Sequence, residues 1–293
     1  MASLARAPRT LAAIILLTCS AVAMADEPRT KPTKPGQYNP ADRTVDMFEG
    51  IKSGQLEVKL IPKDSTQGRV FIANKGNEPV NVKLPQAFVA VPILAQVGGR
   101  GGAMGGMGGM GGQMQSMGGG MGGMGGGMGG GMGGMGGGGG GMFNVPVLGA
   151  GMFNVAGKKT GDFKITTVCL EHGKPEPRST VSYEIRPLET FTDKQGVYEL
   201  LQAMGYGQVD QRVAQAVVWN LNNNMSWATL AAKRIERADG DSYPYFSAQE
   251  IQAGVAISQA AISAADASTK TRTEEKKVEP ATTPTQSIGT RLP

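Results

Sequence analysis

From residue 56 onward, apolar and polar side chains take turns along the chain. Leu56-Glu57-Val58-Lys59-Leu60 sets the pattern, and residues 68–74 (GRVFIAN) and 80–84 (VNVKL) repeat it. A period of two puts alternate side chains on one face, as in a half-buried strand. Between the last two runs, Lys75-Gly76-Asn77-Glu78-Pro79 supplies turn chemistry, because Gly and Asn tolerate positive φ and Pro stops pairing. Residues 88–94 form a further apolar run. Strand-like sequence resumes at 163–170 (FKITTVCL) and 180–185 (TVSYEI).

The period then becomes helical. Thr192-Asp193-Lys194-Gln195 reads as a capping box opening a helix that puts Val197, Leu200, Leu201 and Met204 on one face. Gly205-Tyr206-Gly207 ends it. A second helix is expected over 210–222, with Val213, Val217 and Leu221 on one side. A third starts at Ser226 and carries Trp227, Leu230 and Ala231. Ser247-Ala248-Gln249-Glu250 is another capping box, opening an alanine-rich helix to about Ala265.

Residues 98–141 break every pattern: of these 44 residues 29 are Gly and 10 are Met. Glycine loses the most backbone entropy on ordering and brings no side chain to bury, so this tract predicts a disordered insert. The expected architecture is therefore one α+β domain over residues 46–267, an antiparallel β-sandwich followed by a small helical bundle, interrupted by the insert. A Pro/Lys/Thr-rich flexible leader (26–45) and a charged, Thr/Pro-rich disordered tail (268–293) flank it.

Residues 1–25 read as a secretory signal peptide. Arg6 and Arg9 charge its start, residues 11–22 are apolar, and Ala23-Met24-Ala25 is a small-x-small cleavage site. A lipoprotein signal ending at Cys19 is the rival, with the bulky Thr18 against it. The expected location is exported, either periplasmic or cell surface. No later segment is long and apolar enough to anchor the chain in a bilayer. Cleavage removes two positive charges, taking the formal charge from +5 to +3. Without a dense basic run, a nucleic-acid partner is not expected.

Export also isolates Cys169 as the single cysteine of the mature chain, so no internal disulfide is open to it. A Cys169–His172 nucleophile would need a turn after the strand and a third orienting group, which the sequence does not offer. Asp239, Asp241 and Glu250 fall at positions 1, 3 and 12 of a calcium loop, but Pro244 stands where the loop needs glycine. No cofactor is expected. The alternative is copper: Met104, Met107, Met110, Met121, Met124, Met132 and Met135 sit at close spacings, and thioethers favour Cu(I).

Cys169 closes a strand-like run, and Gln215 lies in a helical Ala214-Gln215-Ala216-Val217-Val218-Trp219. This pairing resembles the thioester domains of bacterial surface adhesins, in which a cysteine thiol attacks a glutamine carboxamide, ammonia leaves, and an internal thioester remains. Gln215, Val218 and Trp219 match the family's Thr-Gln-x-Ala-Ile/Val-Trp helix, while Ala214 replaces the Thr and Val217 the Ala. The resemblance implies that Cys169 carries the acyl group of Gln215 and that Trp219 shields the bond. The whole chain also resembles secreted bacterial Gly/Met-rich proteins that share its Val-Cys-Leu-Glu-His-Gly segment, which implies a common fold. The expected function is an exported, non-enzymatic binding or envelope-associated protein, adhesin-like in its sharper form, with a surface or envelope partner and with self-association through the Gly/Met tract.

Overall fold

The computed structural model describes residues 32–93, 114–121, 151–237 and 239–278. The signal-peptide reading, the last fifteen residues of the tail and most of the Gly/Met tract lie outside them. In chain order the elements are β1 (Thr44–Asp46), α1 (Met47–Lys52), β2 (Leu56–Pro62), β3 (Gln67–Asn74), β4 (Val80–Lys83), β5 (Phe88–Pro92) and β6 (Met117–Gly119). There follow β7 (Met152–Val155), β8 (Thr160–Cys169), β9 (Tyr183–Arg186), α2 (Val197–Gly205), α3 (Gln211–Asn223), α4 (Trp227–Ala232), β10 (Arg234–Glu236), β11 (Ser242–Pro244) and α5 (Ala248–Val278).

The expected sandwich is not what forms. Six strands close a barrel in the order β2-β3-β8-β6-β5-β9, the last returning to β2 through Leu60 opposite Tyr183. Its neighbours are all antiparallel. Period-two alternation is common to sandwich and barrel, so it does not distinguish them. The element that closes the sheet is β6, and β6 comes from the Gly/Met tract. Residues 88–90 of β5 and 167–169 of β8 pair with it from either side. Met117 and Met121 are both fully buried. Part of the tract expected to be disordered is therefore barrel wall: two ladders supply the backbone bonds, and two thioether side chains supply the burial that glycine cannot.

Glycine is required at this strand. A Cβ on Gly120 would lie 2.3 Å from the Leu201 carbonyl oxygen, and one on Gly205 of α2 would lie 2.5 Å from Gly120. A Cβ on Gly118 would lie 2.7 Å from the Leu170 side chain and 2.9 Å from that of Leu201, and one on Gly119 would lie 2.7 Å from the Phe88 ring. The strand thus lies in backbone contact with the end of α2.

The helices do not follow as a separate bundle. They share a core with the outer wall of the barrel, where Val89, Val168 and Leu170 pack with Leu200, Leu201, Ala214, Val217 and Ala261. This explains a change of pattern within β8. Gly161, Phe163 and Ile165 alternate with less buried neighbours, but Thr167, Val168 and Cys169 are all buried, because helices cover the second face there. The other core fills the barrel with Leu60, Val70, Ile72, Phe88, Met117 and Ile185.

Three boundaries differ from expectation. The Thr192–Gln195 box does not cap α2: Gly196 precedes the helix at φ 81, while the Thr192 hydroxyl accepts from Lys194 N–H at 3.2 Å and donates to Asn222 at 2.7 Å. The leader is strapped down from Thr33, which bridges Gly161, and Gly36 bridges Asn154. α5 runs past Ser268 to Val278. The Ser247 box does form: Ser247 N–H donates to the Glu250 carboxylate and Glu250 N–H to the Ser247 hydroxyl. Among the described residues no helix is long and apolar enough to cross a membrane.

Candidate functional site

β8 outruns its neighbour. β3 begins at Gln67, opposite Thr166, so beyond this point no strand among the described residues pairs with β8 on that side. Leu170 N–H donates to the Ser116 carbonyl across the β6 ladder. Alternation then turns the N–H and C=O of Cys169 the other way, towards the open edge. Buried backbone groups left there would each be costly.

α3 covers that edge with amide side chains. The Gln215 carboxamide accepts from Cys169 N–H at 2.8 Å and donates to Cys169 C=O at 2.8 Å. Gln211, one turn earlier, donates to the Thr167 carbonyl at 3.1 Å. Asn222 donates to the Leu170 carbonyl at 2.8 Å, and Asn223 accepts from His172 N–H at 3.3 Å. Spacings of four and seven put Gln211, Gln215 and Asn222 on one face of the helix. The local sequence allows this because Asp210 caps α3, its carboxylate accepting from Arg212 N–H, and Val213 and Val217 hold the helix against the barrel.

The structure therefore brings Cys169 and Gln215 together, through the backbone of one and the carboxamide of the other. The thiol itself lies 4.0 Å from the Ser65 carbonyl. Burial, with Glu176 nearby, pushes it up to about 12, so it is a protonated thiol at neutral pH. Trp219 stands one turn after Gln215 and is 5 % exposed. Its ring meets His172 edge-on at 4.7 Å and also packs on Tyr245 and Phe246.

His172 is not a partner for the thiol. Its Nε2 lies 3.1 Å from Lys233 Nζ, an ammonium that also sits over the Trp219 and Tyr245 rings. Burial first and Lys233 second lower the imidazole below its ordinary range. Glu250 is engaged by Arg212 and Ser247, as a capping residue would be. Of the copper-candidate methionines, Met121 is packed inside the barrel; Met104, Met107, Met110, Met124, Met132 and Met135 lie outside the described residues.

Gln211, Asn222 and Asn223 were not singled out from sequence. Their signal was present as amides recurring on one face of an otherwise apolar helix. Beside them opens a cleft of about 510 Å³, lined among others by Glu171, Glu189, Phe191, Asp193, Asn222 and Asn223. Glu171 is lowered despite its burial, through hydrogen bonds to Lys174 and Ser116. No protein-family model, no curated protein and no solved structure matches the chain.

Proposed function

We propose that the protein is an exported, non-enzymatic binding module of the cell envelope, and that its binding face is the polar cleft beside the Gln215 clamp. The observation that carries this reading is the Cys169–Gln215 contact. It spends the carboxamide on the buried edge of β8 and leaves the thiol protonated, which suits a rigid wall better than a nucleophile. Asn222 and Asn223 belong both to that wall and to the cleft. The cleft offers carboxylates, amides, two threonine hydroxyls, the Lys194 amine and one aromatic ring, the chemistry that recognises a polar, hydroxyl-rich surface. The test is co-sedimentation of the mature protein with envelope preparations. Saturable binding, weakened several-fold by Glu189→Lys with Asp193→Lys, supports the reading. Protein that stays in the supernatant overturns it.

A second reading is the internal thioester, favoured by the same contact. In it Cys169 Sγ bonds to the carboxamide carbon of Gln215, the C–N bond breaks, and ammonia leaves with the thiol proton. That step would give up the hydrogen bond from the carboxamide nitrogen to the Cys169 carbonyl, because that nitrogen leaves as ammonia. Intact mass before and after methylamine decides it. The hydrogen-bonded geometry leads us to expect the full sequence mass and no adduct. A mass one ammonia short, recovered as a methylamine adduct at Gln215, would establish the thioester.

A further inference from the structure

β6 is an unusual wall strand, because everything that seats it lies within residues 114–121. Gln115 N–H donates to the Pro175 carbonyl and Ser116 N–H to the Glu171 carboxylate. The Tyr183 hydroxyl donates to the Gln115 carbonyl, and the ladders to β5 and β8 complete the set. Met117 and Met121 fill the barrel at either end of three glycines. None of these contacts depends on which chain supplies the strand.

Two features of the sequence bear on that choice. Twenty-one residues (93–113) separate β5 from this segment and twenty-nine (122–150) separate it from the chain that leads to β7. A glycine-rich chain of twenty residues has a root-mean-square reach on the order of 25 Å, enough to pass between neighbouring small domains. In addition, the seated pentapeptide Met-Gly-Gly-Gly-Met (117–121) recurs at 124–128 and 128–132. The pentapeptide is thus present three times in the sequence of each chain, against the one slot among the described residues.

We infer that β6 is an exchangeable strand, and that residues 114–121 of one chain also close the barrel of a second copy of the same chain. The occupant is a second copy because the slot is selective. Gly120 faces the Leu201 carbonyl and Gly205 too closely for any Cβ, and Gly118 and Gly119 are tight against side chains. A strand with three consecutive small residues between two methionines is what fits, and this chain is full of them. Closure within one chain wins at low concentration, because a short tether gives a local concentration in the millimolar range. Crowding copies together shifts the balance, and an exchanged dimer needs no contact that the single chain lacks. This inference stands apart from the binding function proposed above.

The test uses two full-length mature variants. Gly120→Val spoils the strand and leaves the slot intact. Gly205→Val blocks the slot and leaves the strand intact. Refolded together in equal amounts, the pair should give a one-to-one dimer by light scattering. About half of the wild-type near-ultraviolet signal and urea transition should return, while each variant alone gives none. A mixture no better than the two variants measured separately overturns exchange. Wild-type chains give an independent check should either valine be tolerated. Isotopically light and heavy chains are unfolded apart, refolded together at high concentration, and weighed under native conditions. Mixed light–heavy dimers, absent when residues 114–121 are deleted from both, support exchange. Monomers alone at every concentration, or dimers that survive the deletion, overturn it.

Discussion

Gln215 gives Cys169 both of the hydrogen bonds that a neighbouring strand would have made, at 2.8 Å each. A side-chain carboxamide presents an N–H donor beside a carbonyl acceptor, as the backbone of a strand does, so it can complete a ladder where a strand has ended. The first prediction follows from which part of Cys169 is held. Gln215→Leu leaves a buried N–H and a buried C=O unpaired, and should cost roughly 2–5 kcal/mol in urea unfolding. Cys169→Ala keeps the backbone pair intact and should cost only about 1 kcal/mol, from the lost sulfur contacts. If the thiol rather than the backbone were the important group, the order would reverse.

The glycines of β6 should differ in their tolerance. Gly120→Ala drives a Cβ into a carbonyl oxygen, whereas Gly118→Ala meets the ends of two leucine side chains that can rotate. We expect roughly 1–3 kcal/mol of destabilisation for Gly120→Ala and clearly less for Gly118→Ala. Equal, negligible effects in denaturant titration would remove β6 from the barrel wall.

The thiol predicts a pH response. Burial raises Cys169 to about 12 in the folded chain, above the ordinary value of about 8.5. Between the two values the unfolded chain holds fewer protons than the native one. Stability present below the unfolded value is therefore lost as pH rises through that window. Native protein should resist iodoacetamide at pH 8 and react fully once unfolded, as read by mass. Rapid alkylation of the native chain would contradict the burial.

His172 acts in the opposite direction on the acid side. Its folded value is depressed, so the unfolded chain takes up a proton first as pH falls below about 6.5. Stability should fall with pH in that window, and His172→Gln should flatten the slope. An unchanged slope in urea midpoints between pH 7 and 5 would show that Lys233 and burial leave the imbalance to other groups.

Asn81 ties the leader to the fold. It is fully buried; its Nδ2 donates to the carbonyls of Asn39 and Asp42, and its Oδ1 accepts from Asn39 N–H and Asn154. Asn81→Leu should expose residues 33–43 to limited proteolysis and cost roughly 1–3 kcal/mol, since the buried amide's hydrogen bonds to exposed and half-buried partners are lost together. Unchanged cleavage would mean that the bridges at Thr33 and Gly36 hold the strap by themselves.

Much of the fold is legible in local pattern. The alternation of residues 56–60, 68–74 and 163–170 marks β2, β3 and β8, and the Ser247 box marks the start of α5. The closure of the barrel is not legible in this way. Residues 114–121 carry the composition of unordered chain, and only their contacts with β5, β8 and Leu201 make them a strand, so a tertiary partner overrides local propensity. The Thr192 box fails to cap α2 because the chain turns again at Gly196, whose φ of 81 separates the box from the helix. At the site, the Cys169–Gln215 pairing is visible in sequence, but not the fact that the glutamine reads the backbone. That depends on β3 stopping at Gln67 while β8 continues.

The seating of β6 separates the length of the Gly/Met region from the integrity of the barrel. The eight described residues 114–121 are held by two ladders and by buried side chains, and closing a loop becomes costlier by just ~0.6 kcal/mol for each doubling of its length. On loop-closure grounds alone, a change in the number of repeats on either side of residues 114–121 costs little. Selection on the barrel wall would act on the sequence of this short window, whatever the number of repeats around it.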